Sequence, residues 1–245
     1  MCTATWLSRD RAFHLFFNRD ELRSRERARG PALHESEGVR YLAPSDGRAG
    51  GSWIAVSELG LALALLNRSE GRVPERTGSR GRLISRLAAS TGPDDFASRL
   101  LREPLRDLSP FRLAAFWIDA PAGSLAVWDG ERVRLDRLDP RLGILCSSGL
   151  GDERATAART RVWAQTRPAG PLWGPAHHRD FHRSHAPEPS AWSVCMHRED
   201  AESVSYTEIE IGPDAGVLRY DGRPPCSSER PVEIRLPRAV LAPAR

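Results

Sequence analysis

The run Leu61-Ala-Leu-Ala-Leu-Leu66 constrains the fold more than any other segment of the chain. Bounded by Gly60 and Asn67, it is apolar at every position, so a strand built from it presents apolar side chains to both faces. A sheet holding such a strand must be covered twice. The turn Glu58-Leu59-Gly60 joins it to residues 52–57 as a hairpin. An earlier hairpin pairs residues 2–8 with 12–18 around Arg9-Asp10-Arg11. Residues 111–118, 124–128 and 132–135 read as a meander turning at Asp129-Gly130, and 142–147 as a further strand. Residues 191–197 with 203–211 read as a late hairpin, followed by a strand at 216–220. Leu83, Ile84, Leu87 and Ala88 recur at helical spacing, Pro93 opens a second helix, and a third spans about 152–166. The charged residues 22–31 and the stretch 168–190 are expected to be loops. Hairpins dominate, so the expectation is an α+β chain, one domain over 1–245, with two mainly antiparallel sheets face to face and helices outside.

All 36 basic residues are arginine, spread among 32 acids, for a net charge of +4. That is a solvated surface rather than the gathered stripe nucleic acid requires. No apolar run approaches the roughly 20 residues of a membrane helix, and Arg9, Asp10 and Arg11 interrupt any N-terminal leader. The expected location is the cytoplasm, with no stable membrane insertion. Cys146 and Cys195 lie in apolar runs and read as core residues, and Cys226 follows Pro224-Pro225 in a loop.

Cys2 carries the most chemistry. Removal of Met1 leaves a thiol and a free α-amine on one residue, and an α-amine with a pKa near 8 can act as base beside the nucleophile. A hairpin turning about Asp10 makes opposing residue numbers sum to 20. Cys2 then faces Asn18, with Asp20 a diagonal neighbour on the same face. On that register His14 shares the Asn18 face and can line the Cys2 pocket.

Asn18-Arg19-Asp20-Glu21 after an N-terminal Met-Cys hairpin resembles the signature of the NRDE family, also called the transport and Golgi organisation protein 2 family. Ala49-Gly50-Gly51-Ser52-Trp53-Ile54, Gly60 through Asn67, Ser79-Arg80-Gly81 and Val194-Cys195-Met196-His197-Arg198 follow in the family's order. The family is similar in turn to the N-terminal nucleophile hydrolases, which implies an αββα sandwich. In those hydrolases Met-Cys-Thr and Asn-x-Asp are matched by Cys2, Asn18 and Asp20, and a turn before a strand ending in asparagine is matched by Glu58, Gly60 and Asn67. The resemblance implies that Cys2 attacks an amide carbonyl, Asp20 orients the α-amine and Asn67 helps hold the oxyanion. A second asparagine expected after the strand near 145 is replaced by Ser147-Ser148-Gly149, and Arg19 and Arg80 are the candidates for a catalytic arginine. For the NRDE family itself the resemblance implies haem trafficking. The implied ligand is small and amphipathic, either haem or an amide substrate, held by Asn18, Arg19, Arg80 and His14, with arginine pairing to carboxylates.

His177, His178, His182 and His185 fall close together, with His178 and His182 at i, i+4. Proline-rich flanks and the lack of an apolar face point to a solvated loop without a metal, while haem ligation by one of these histidines stays open.

Overall fold

The computed structural model describes residues 2–75, 78–166, 174–227 and 230–239. The first hairpin is β1 (Cys2–Arg9) and β2 (Ala12–Leu22), and a second is β3 (Arg29–Ser36) and β4 (Val39–Ser45). β5 (Ile54–Ser57) and β6 (Leu61–Asn67) lead to helices α1 (Arg82–Leu87) and α2 (Pro93–Leu101). The meander β7 (Phe111–Trp117), β8 (Gly123–Trp128) and β9 (Val133–Leu138) precedes β10 (Leu142–Ser147). Helices α3 (Asp152–Gln165) and α4 (Pro175–Arg183) come next, then β11 (Ala201–Ile211), β12 (Ala215–Asp221) and β13 (Val232–Pro237).

One sheet has six strands in the order β10-β1-β2-β11-β12-β13, and the other has seven in simple sequence order from β3 to β9. Every strand pair is antiparallel. Strand β6 sits mid-sheet as its composition demands. Ala62, Ala64 and Leu66 face the other sheet and pack in one core with Ala4, Trp6, Leu15 and Phe17. Leu61, Leu63 and Leu65 face Leu83, Ile84 and Leu87 of α1 and Phe96 and Leu100 of α2. Helices α3 and α4 cover the six-stranded sheet through Val162, Trp163 and Phe181. The layers are therefore α, β, β, α.

Four expectations change. The loop expected at 22–31 is shorter and confined to 23–28, because β2 runs to Leu22 and β3 begins at Arg29. Edge strand β3 carries its charges outward, which hides alternation and also guards the edge. Residues 191–197 form no strand. Val194, Cys195 and Met196 are buried, but by a loop packed on β2, since an apolar run specifies burial rather than strand. The 168–190 stretch holds helix α4, whose inner face is His178, Phe181 and His182, so two histidines do the work of apolar residues. The 168–173 part of that stretch lies outside the described residues. Edge strand β13 was not foreseen. No helix among the described residues is long and apolar enough to cross a membrane.

Candidate active site

The position of Cys2 follows from the first turn. Asp10 and Arg11 both adopt left-handed backbone, φ 51° and 64°, so the hairpin turns on two residues and opposing numbers sum to 21. Cys2 therefore faces Arg19, and Thr3 faces Asn18. This corrects the expected register by one residue, and a one-residue slip exchanges faces. Cys2 and Arg19 point between the sheets. Asn18 and His14 point toward α4, away from Cys2.

Cys2 is 7% exposed. Burial pushes its thiol pKa up and the Asp20 charge adds to this, while Arg19 and a hydrogen bond from the Asp20 main-chain N–H pull it back. On the other flank Ser147 of β10 stands opposite Cys2. It is fully buried, and its hydroxyl has no hydrogen-bond partner among the described residues.

The Asp20 side chain turns to the helix side of the sheet. It accepts a hydrogen bond from Arg159 Nη2 at 2.9 Å and one from Ser203 Oγ at 2.6 Å. Arg159 Nη1 donates to the Cys2 carbonyl at 3.3 Å and to Thr3 Oγ1 at 2.6 Å. Both side chains of the Arg159–Asp20 pair are 0% exposed. One guanidinium thus ties Asp20 to the main chain of Cys2. Sequence reasoning missed Arg159. The available signal was its place on the buried face of α3, in line with Ala155, Val162 and Trp163, where a lone charge demands a partner. A register shift in β11 between Ser203 and Ser205 falls opposite Arg19 and Asp20 and brings Ser203 to the carboxylate.

Cys2 opens on a cavity of about 530 Å³, also lined by Arg19, Asp20, Asn67 and Arg80. The resembling glycine motifs build its wall. A Cβ on Gly51 would lie 2.7 Å from the Gly81 carbonyl carbon, and one on Gly81 would lie 2.8 Å from the Ser52 nitrogen. The two loops touch backbone to backbone, with Ser52 N–H donating to the Gly81 oxygen at 3.1 Å. This contact sets Trp53 and Arg80 on the same cavity. The Arg19 guanidinium lies 4.4 Å from the Trp53 ring centroid and is shared between Asp46 and Glu21. Burial works to raise the Asp46 pKa, but hydrogen bonds from Arg25 and the Ala49 N–H, with the Arg19 charge, hold it below the usual carboxylate value. Arg80 differs. It donates to the Pro110 carbonyl at 2.9 Å, and no carboxylate among the described residues lies within ion-pair distance of it. Burial lowers its pKa.

Of the expected site residues, Cys2, Arg19, Asp20, Asn67 and Arg80 share the cavity. Asn18 and His14 do not line it. Asn18 Nδ2 donates to the carbonyls of His182 and Val194, at 2.9 and 3.0 Å, and its Oδ1 lies 2.8 Å from His182 Nδ1. Thr5 Oγ1 bridges His182 Nε2 and His178 Nδ1, both at 2.8 Å. These histidines are buried, correcting the solvated-loop expectation, and they lie on the far side of the sheet from Cys2.

A family model described as Transport and Golgi organisation 2 matches residues 1–165. No curated protein matches the chain. Among solved structures, a conjugated bile acid hydrolase from Clostridium perfringens superposes with TM-score 0.54 at 13% identity, covering 96% of this chain and 92% of that one. A Caenorhabditis elegans N-acylethanolamine-hydrolyzing acid amidase orthologue superposes with TM-score 0.57 at 10% identity, covering 85% and 92%. Penicillin V acylase from Agrobacterium tumefaciens gives 0.52 at 11%, covering 97% and 86%. At such identities these likenesses establish the fold, that of the N-terminal nucleophile hydrolases, and leave the reaction to the residues.

Proposed function

The chain belongs to the Transport and Golgi organisation 2 family, and from that premise we propose that it is a cysteine N-terminal nucleophile hydrolase acting on a small amide that carries a carboxylate. The observation that carries this reading is the fully buried Arg159–Asp20 pair clamped to the Cys2 carbonyl. Burying two charges is expensive unless they organise something, and here they fix the residue that becomes the N-terminus once Met1, which lies outside the described residues, is removed.

In the proposed reaction the Cys2 α-amine accepts the thiol proton as sulfur bonds to the substrate carbonyl carbon. Asn67 and the Asp20 N–H are the donors available to the oxyanion. The Ser147 hydroxyl is free to accept a hydrogen bond from the α-amine, taking the place of the missing second asparagine. Collapse breaks the C–N bond, and the α-ammonium protonates the departing amine. Water then cleaves the thioester, releasing the acid and restoring the thiol. The Arg80 fork pairs with the substrate carboxylate. The names of the fold neighbours, a hydrolase, an amidase and an acylase, agree with this class of reaction.

Haem trafficking, which the family resemblance implies, is the second reading, and the same Arg80 supports it as a partner for a propionate. Cys2 is then the axial donor, since no histidine, methionine or tyrosine lines the cavity among the described residues. Intact mass and a panel of N-acyl amino acids test the proposal. The expected result is loss of Met1, release of free amine, and an acyl adduct on the Cys2 peptide that Cys2→Ala abolishes. Full retention of Met1, or a haem Soret band with no turnover of any amide, would remove the hydrolase reading.

A further inference from the structure

Four side chains outside the cavity converge without a role in it. His185 follows α4, Cys195 and His197 lie in the loop before β11, and Cys226 lies in the turn after β12. Their ligand atoms all lie within 4.8 Å of one another. His197 Nε2 is 3.5 Å from Cys195 Sγ, 3.5 Å from Cys226 Sγ and 3.2 Å from His185 Nε2. Around a tetrahedral zinc, with Zn–S about 2.3 Å and Zn–N about 2.0–2.1 Å, the polyhedron edges are about 3.6 Å for S···N and about 3.3 Å for N···N. The observed separations match those edges, with both imidazoles presenting Nε2. We propose that His185, Cys195, His197 and Cys226 form a zinc site of the structural type, with two thiolates and two imidazoles.

The chemistry fits the place. Two thiolates neutralise the dication, and four protein ligands leave no open position for a substrate, which marks the site as structural rather than catalytic. The segment from Ser184 to Asp200 contains no helix or strand, yet Val194, Cys195 and Met196 within it are buried. A metal there fastens this loop to the turn after β12, two stretches that are far apart in sequence. The loop also touches the active-site frame. Met196 N–H donates to Ser203 Oγ at 2.9 Å, and Ser203 Oγ donates to Asp20 at 2.6 Å. The sequence expectation of no metal considered His178 and His182. The tetrad uses neither; it takes His185 from that cluster, adds the Cys195-Met196-His197 pair, and is completed only by the distant Cys226.

Metal analysis of the full chain, purified under thiol reductant without chelator, should find one zinc per chain. Cobalt(II) added to metal-free protein should give intense visible d–d absorption and thiolate-to-cobalt charge transfer, a readout that needs no variant and no enzymatic activity. Cys226 is exposed, so Cys226→Ser leaves packing intact. It should weaken cobalt binding beyond the roughly 10–100-fold that losing an outer-shell partner costs. Metal-free protein showing no cobalt–thiolate bands overturns the proposal, as does cobalt binding that Cys226→Ser leaves unchanged. A Cys195–Cys226 disulfide persisting through reductant and excluding metal does so too.

Discussion

Acidification below neutrality should weaken the fold through two residues on one helix. His178 and His182 are both 0% exposed. The hydrogen-bond directions around them are forced. Both Asn18 amide hydrogens go to carbonyls, so Asn18 Oδ1 accepts from His182 Nδ1–H. His182 Nε2 is then an acceptor for the Thr5 hydroxyl, whose oxygen accepts from His178 Nδ1–H. A proton on His182 Nε2 turns that nitrogen into a donor and takes away the acceptor of the buried Thr5 O–H. Burial drives the His178 pKa down to about 3, and burial together with the neighbouring His178 and Arg159 drives His182 well below its ordinary value. Between the folded value and the unfolded value near 6.5, the unfolded chain binds the extra proton, so stability falls as pH falls. The contribution is intact above about pH 6.5 and drains at about 1.4 kcal/mol per unit per histidine. At pH 5 the loss at His178 is about 2 kcal/mol and His182 adds to it with the same sign, a substantial part of the ~5–15 kcal/mol that holds a domain folded. Urea unfolding at a series of pH values measures it in wild type and in His178→Gln/His182→Gln. The variant's absolute stability is irrelevant, because the readout is the difference in pH slope. Parallel slopes for the two proteins between about pH 7.5 and 5 would refute the reasoning.

Other consequences are more local. Arg80→Ala should raise KM for a carboxylate substrate ~10–100-fold with little change in kcat, the loss of one charge-assisted interaction, and Arg80→Lys should recover only part of it. Wild-type KM values in both variants would exclude Arg80 from binding. Gly81→Ala, at φ −61°, meets backbone atoms rather than backbone strain. It should lower stability by about 1–3 kcal/mol in chemical denaturation and depress kcat/KM as well, because the displaced loop carries Arg80. Arg11→Gly should stabilise by about 1 kcal/mol, since Arg11 holds left-handed backbone at φ 64°. An unchanged unfolding midpoint would show that the turn carries no strain.

The layered architecture was legible because its evidence is local. Apolar β6 required cover on both faces, and the helices and meander announced themselves by period and turn residues. Edge strand β3 escaped because Pro31, Ala32 and Leu33 stand together rather than alternating, whereas in β13 the alternation of Val232, Ile234 and Leu236 with Glu233 and Arg235 was legible and was missed. Helix α4 escaped for a different reason. Histidines counted as polar form its buried face once Thr5 and Asn18 bond three of their four ring nitrogens. At the site, the motifs pointed to Cys2, Asp20, Asn67 and Arg80, and all of these line the cavity. Which face each side chain takes depended on a turn one residue shorter than the three-residue Arg9-Asp10-Arg11 turn expected. Arg19, one of the two candidates for a ligand carboxylate, is engaged by Asp46 and Glu21, which leaves Arg80 for that task. Arg159 and Ser203 come from remote parts of the chain, and nothing in local sequence ties either to Asp20.

The left-handed pair at Asp10 and Arg11 reaches well beyond its own corner. Cys2 lies at the far end of β1, eight residues long and roughly 25 Å from the turn. Substitutions at the corner leave the thiol where it is, whatever they do to stability. A single inserted or deleted residue there swings the thiol from the cavity to the underside of α4, although no atom of the site has been altered. The chemistry at one end of the sandwich thus depends on arithmetic at the other, where the number of residues in the corner matters to the thiol and their identity does not.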